Sequence, residues 1–277
     1  MTAPLPRRAA VEGLGTAALV TVVVGSGIQA TALTRDIGTQ LLANSLATVF
    51  GLGVLIALLG PVSGAHFNPV VTLAAWLTGR RRAGAEAFTA REAAAYVPAQ
   101  IAGAIAGAVL ADAMFGEPLL RLSTHDRFAG HLWLAEVVAT AGLVWLVFGL
   151  ARTGRAHLAP ALVAAFIGSA YWFTSSTSFA NPAVTIGRAF TDTFAGIAPA
   201  SVPPFLAAQL VGAIAGLGLV ALCFGREVQS PTEPAPTEPV PTPPVLTEAV
   251  PTEAVFTSPA PGTDASDPTR QPATRTH

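Results

Sequence analysis

Six apolar stretches dominate the chain, at roughly 9–28, 41–60, 92–112, 131–151, 158–176 and 203–225. Each approaches the ~20 residues that a helix needs to cross the hydrocarbon core of a bilayer. No charged residue occurs between Asp36 and Arg80, between Arg155 and Arg188, or between Asp192 and Arg226. The first stretch follows Arg7 and Arg8 and lacks a clear cleavage site, so it reads as a first spanning helix rather than a removed signal peptide. The pattern predicts an all-α membrane protein with six transmembrane helices.

The halves of the chain resemble each other. Residues 99–107 match residues 208–216 at seven of nine positions. Glu12 with Thr16 parallels Glu136 with Thr140, and Asn68-Pro69-Val70-Val71-Thr72 parallels Asn181-Pro182-Ala183-Val184-Thr185. Repeat one covers 9–115 and repeat two 130–226. Each holds three spans, with its Asn-Pro element between the second and third. An odd number of spans means that the second half enters from the opposite side, an inverted-topology repeat whose functional site lies at the repeat interface near midplane. Gly103 with Gly107 and Gly212 with Gly216 supply small faces for close helix packing.

Composition sharpens this picture. The chain is 52% hydrophobic and 11% charged, with a mean hydropathy of +0.56. That charge content is well below the roughly 25% of soluble domains. All 15 basic residues are Arg. With six alternating helices, Arg7, Arg8, Arg80, Arg81, Arg82, Arg91, Arg152, Arg155 and Arg226 share one side, leaving Arg35, Arg121, Arg127 and Arg188 on the other. The positive-inside rule then puts both termini in the cytoplasm, residues 1–8 forming a short N-terminal segment. Residues 227–277 hold 12 of the 23 prolines, in repeated Pro-Thr-Glu units. This composition cannot build a core and reads as a disordered acidic cytoplasmic tail. Cys223 is the one cysteine, so neither an internal disulfide nor a cysteine metal site is expected. The histidines lack ligand-like spacing, and no metal or cofactor is expected. No nucleophile, base and orienting group are clustered, which argues against an enzyme.

Chemistry concentrates in the two Asn-Pro elements. Proline suits the first helical turn, and the preceding Asn is a good N-cap. Two short helices are predicted, roughly 69–78 and 182–190, neither long enough to span. Entering from opposite sides, they would meet start to start near midplane, with their partial positive ends facing. Such a junction repels cations and interrupts a proton-conducting water chain, while the Asn amides serve neutral solutes. A single Asn-Pro usually marks only a turn; two at matching repeat positions carry more weight.

With Ser63-Gly64-Ala65-His66-Phe67-Asn68-Pro69-Val70 and Ser178-Phe179-Ala180-Asn181-Pro182-Ala183, residues 9–226 resemble the major intrinsic protein family of aquaporins and aquaglyceroporins. The first motif departs from the family's Asn-Pro-Ala at Val70, a position that packs rather than donates. The resemblance implies a homotetramer in a bacterial-type inner membrane, passing small neutral solutes and not nucleic acid. It implies that Glu12 and Glu136 support the half-helix loops and that His66 shapes the pore wall. It implies an outer constriction at Thr48, Ser169, Ser178 and Val184, where most relatives have Arg at the last position. Four small neutral residues predict a wider constriction with three hydroxyls and weakened charge exclusion. Arg188, one turn beyond Val184, either guards the outer mouth or pairs with Asp192. The small filter is similar to a bacterial branch associated with arsenic resistance, which implies passage of arsenous acid and glycerol-like polyols. A general water and glycerol facilitator and a secondary active transporter are the alternatives; a non-transporting scaffold with a recruiting tail is a third.

Overall fold

The computed structural model describes residues 3–79 and 87–225. Arg80, Arg81, Arg82 and Arg226 and the Pro/Thr/Glu segment 227–277 lie outside the described residues. The helices are α1 (Leu5–Leu33), α2 (Ile37–Ser63), α3 (Pro69–Gly79), α4 (Ala90–Phe115), α5 (Gly130–Arg152), α6 (Ala159–Phe173), α7 (Pro182–Gly187) and α8 (Val202–Phe224). Six are long and apolar enough to cross a membrane, α6 with the help of the 3-10 turn Ala156–Leu158 that leads into it. The other two, α3 and α7, start at the two Asn-Pro prolines as the pattern predicts. At about 1.5 Å per residue, the 11 residues of α3 reach roughly half-way through a bilayer core. The second half-helix is shorter than predicted: α7 ends at Gly187 and tightens into a 3-10 turn, Arg188–Phe190.

Local chemistry sets the helix ends. Asp36 caps α2 by accepting from Thr39 N–H at 2.7 Å. Thr89 and Glu92 form a reciprocal capping box at the start of α4. Gly64 ends α2 at φ 94°, a left-handed conformation open to glycine without steric cost, and it turns the chain into the first half-helix loop.

The two repeats pack in the same way, α1 against α4 and α5 against α8. Glycines make this possible. A Cβ at Gly103 would lie 2.1 Å from Gly13 O, and one at Gly107 2.2 Å from Ala17 O. In the second repeat, a Cβ at Gly212 or Gly216 would lie 2.6 Å from Val137 O or Ala141 O, again too close for a side chain. Small residues therefore bring backbone against backbone, the packing available to helices when lipid removes the hydrophobic drive between them. The outward faces carry large exposed apolar residues such as Leu14, Phe50, Leu58, Leu134 and Ile214. Only a hydrocarbon solvent accommodates so much exposed apolar surface, and the protein is integral to the membrane.

This packing gives a direct contrast. Gly107→Leu, which drives a side chain into the Ala17 carbonyl, is expected to cost more than the roughly 1–3 kcal/mol of ordinary overpacking, because backbone cannot yield. Gly218→Leu, whose Cβ meets nothing within 4 Å, leaves stability unchanged. Thermal unfolding in detergent separates the two.

Candidate functional site

Each half-helix is preceded by a loop whose backbone enters an unusual region. Ala65 and Phe67 have φ of 48° and 46°, and Thr177, Ser178 and Ala180 have φ of 60°, 51° and 47°. Ala65 and Ser178 stand three residues before their Asn, and Phe67 and Ala180 one before. Left-handed backbone at non-glycine residues costs on the order of 1 kcal/mol or more per position and persists only when its surroundings hold it.

The two buried glutamates do the holding. Glu12 accepts four hydrogen bonds: from Ser63 Oγ (2.6 Å) and His66 N–H (2.9 Å) on one oxygen, and from Phe67 N–H (2.6 Å) and Gln100 Nε2 (2.8 Å) on the other. Glu136 repeats the set with Ser176 Oγ (2.6 Å), Phe179 N–H (2.9 Å), Ala180 N–H (2.8 Å) and Gln209 Nε2 (2.6 Å). Both carboxylates are fully buried, and such a group is tolerated when its lone pairs are filled. Gln100 and Gln209 also donate to Thr72 and Thr185, tying the third helix of each repeat to its half-helix. The sequence reading gave no role to these glutamines or to Ser63 and Ser176. Their matching offsets in the two repeats were the available signal.

The loops then cross. Asn68 Nδ2 donates to Ala180 O, and Asn181 Nδ2 donates to Phe67 O, both at 2.8 Å. Each Asn side-chain oxygen caps its own helix, accepting from Val70 N–H (3.0 Å) or from Ala183 and Val184 N–H (3.0 and 3.3 Å). The half-helix starts are thus bound to one another, as predicted. Val70 and Ala183 are fully buried in packing, and Pro69 and Pro182 open their helices. Each amide retains one N–H beyond its cross-loop bond.

A cavity of about 540 Å³ passes this junction. One end is lined by Ala156, His157 and Pro160, the middle by Asn68 and Asn181, and the other end by Thr48, Tyr171, Ser178 and Arg188. Leu19, Leu52, Leu143 and Ile167 provide apolar wall. His66 lines it too; its Nδ1 lies 3.1 Å from Thr72 Oγ1, and its ring packs on Phe88 and Tyr96.

At the outer end the structure corrects one expectation and decides between two others. Ser169 is not in the lining: it is exposed on the outer face of α6, and its hydroxyl is spent on Phe166 O at 2.8 Å. Tyr171, two residues on, faces the cavity and bonds Thr48 Oγ1 at 3.2 Å. Thr48 donates its own proton to Asn44 O, so Tyr171 is the donor between them. Ser178 and Val184 do line the cavity, and the Ser178 hydroxyl is buried with no partner among the described residues. Of the two readings of Arg188, the pairing with Asp192 is not the one found. Asp192 accepts from Thr124 N–H (2.8 Å) and Oγ1 (2.9 Å) and meets Arg121 at 3.3 Å. Thr124's two bonds, then Arg121, hold its carboxyl below the usual carboxylate range. Arg188 instead donates from Nε to Ala195 O, lies 3.5 Å above the Phe179 ring and lines the cavity. The constriction is consequently neither uniformly small nor neutral.

A bundle whose two re-entrant half-helices meet beside a lined passage is a membrane channel, not an enzyme. The chain belongs to the major intrinsic protein family, whose model matches residues 2–180. It is 50% identical over 216 residues to the aquaglyceroporin AqpS of Rhizobium meliloti, covering 78% of this chain and 89% of that protein. It is 30% identical to the glycerol uptake facilitator protein of Pseudomonas aeruginosa, over 81% of this chain and 91% of the relative. Among solved structures it shares its fold with the aquaglyceroporin from Plasmodium falciparum, at a TM-score of 0.56 and 18% identity, covering 79% of this chain and 95% of that one.

Glu12→Gln removes acceptors while leaving all four donors in place. An unsatisfied buried group costs about 1–3 kcal/mol, so a loss of roughly 3 kcal/mol or more is expected. Because the second set is equivalent, Glu136→Gln should lower the thermal midpoint in detergent by a comparable amount.

Proposed function

We propose that this chain is a passive channel for small uncharged, hydroxyl-bearing solutes: glycerol-like polyols and metalloid hydroxides such as arsenous acid, with water as a co-permeant. The observation that carries this reading is the crossed pair, Asn68 and Asn181, beside a continuous cavity. Their spare amide N–H groups replace part of a solute's hydration, and the facing positive helix ends oppose cations. Arsenous acid is neutral near pH 7 and displays its hydroxyls much as glycerol does. The similarity to AqpS and to a glycerol uptake facilitator supports the polyol class.

The general water and glycerol facilitator remains the second reading, favoured by Tyr171 and Arg188, which narrow the outer end more than four small residues would. A secondary active transporter needs a free carboxylate in the passage. Glu12 and Glu136 are spent on loop backbone, and Asp112, also buried, accepts from Thr191 at 2.7 Å away from the cavity lining. In this reading Thr48, Tyr171, Ser178 and Val184 form the selectivity filter with Arg188. The protein resides in a bacterial-type inner membrane with both termini cytoplasmic, as the arginine asymmetry supports. A homotetramer follows from the family resemblance.

Stopped-flow light scattering on proteoliposomes with water, glycerol and arsenous acid tests the substrate class. The wild type should pass all three, and Val184→Arg should suppress glycerol and arsenous acid more than water. A wild type that passes water alone would refute the polyol and metalloid reading.

A further inference from the structure

The most unusual group in the cavity wall is a buried arginine with no acidic partner. Arg188 forms no ion pair among the described residues, because the carboxylate nearest in sequence, Asp192, belongs to Thr124 and Arg121. Its Nε is used by Ala195 O, while its remaining N–H groups have no hydrogen-bond partner among the described residues and its side chain lines the cavity. In the same lining the Ser178 hydroxyl is buried and also without a hydrogen-bond partner among the described residues.

The guanidinium is held in a fixed place. Phe179 lies under it at 3.5 Å and is locked in turn by Phe205, whose ring centroid is 5.3 Å away. Stacking on an aromatic face stabilises a desolvated cation. Gly187 presses α7 onto α4, where a Cβ would meet Ala104 O at 2.6 Å, so the half-helix cannot slide. One turn back stands Val184, which lines the same cavity. A second cation reinforces the first: Arg127 lies 5.1 Å from the same ring, with its Nε on Gly196 O.

We propose that Arg188, backed by Arg127, is the charge barrier and solute donor of the outer constriction, making a filter with Val at position 184 cationic rather than neutral. This rests on the passive-channel reading and adds to it which residue decides selectivity. A fixed positive charge in a low-dielectric passage raises the barrier to cations. The free N–H groups, with the Ser178 hydroxyl, form a donor set for a hydroxyl-bearing solute.

The test measures glycerol permeability and sodium leak under an imposed potential in one preparation of proteoliposomes. Arg188→Gln should raise the ratio of sodium leak to glycerol permeability by about tenfold or more, and Arg188→Lys should hold it near the wild-type value. Val184→Glu, which sets a carboxylate one turn from Arg188 and neutralises it, should raise the ratio as Arg188→Gln does. An unchanged ratio in a glycerol-conducting Arg188→Gln or Val184→Glu protein overturns the proposal. A wild type that conducts no glycerol overturns the channel reading beneath it.

Discussion

The structure depends on two carboxylates that have no business in a bilayer unless every lone pair is occupied. Glu12 and Glu136 each gather four donors, two of them backbone N–H groups of a loop that no helix or sheet could otherwise satisfy. Irregular backbone survives at membrane depth when protein supplies its partners. With those bonds in place the strained loops become rigid, each Asn reaches the opposite loop, and the two half-helices are pinned start to start. The pore is therefore a consequence of buried charge: without the glutamates the left-handed residues before each Asn would relax.

The same arrangement is made twice because the chain is duplicated and inverted. Glycine faces bring α1 to α4 and α5 to α8, and those helices carry the glutamate and the glutamine of each set. Close packing and polar satisfaction are thus linked, since a wider helix pair would carry Gln100 away from Glu12. The passage that results is mostly apolar, with a few polar groups such as Thr48, Asn68, Asn181, Ser178 and Arg188. Such a surface lets hydroxylated solutes exchange hydration for a few fixed donors while the rest slides past hydrocarbon.

Much of this was legible beforehand because repeated motifs report on each other. The six spans follow from apolar runs, and the half-helix starts at Pro69 and Pro182 and the buried glutamates from paired occurrences. What failed was counting along a helix from a distant landmark. An α-helix turns about 100° per residue, so placing the filter residue at Ser169 instead of Tyr171 misplaces it by about 200°, from the cavity to the exterior. For Arg188 it is the pairing with Asp192 that fails, not the place at the outer mouth. Its spacing to Asp192 suits an ion pair on a regular helix, but α7 tightens into a 3-10 turn at Arg188 and the partner is taken by Thr124. A neutral filter was inferred from four small residues, when the charge reaches the cavity from the turn beyond Val184.

A rigid, crossed Asn pair makes this a passive route for uncharged solutes. The most direct test is glycerol flux into proteoliposomes with a proton gradient and membrane potential imposed, and again after both are dissipated. Flux should be identical in both conditions and halt when glycerol is equal on both sides. Flux that collapses with the gradient, or glycerol accumulated above its external concentration, would contradict a passive route.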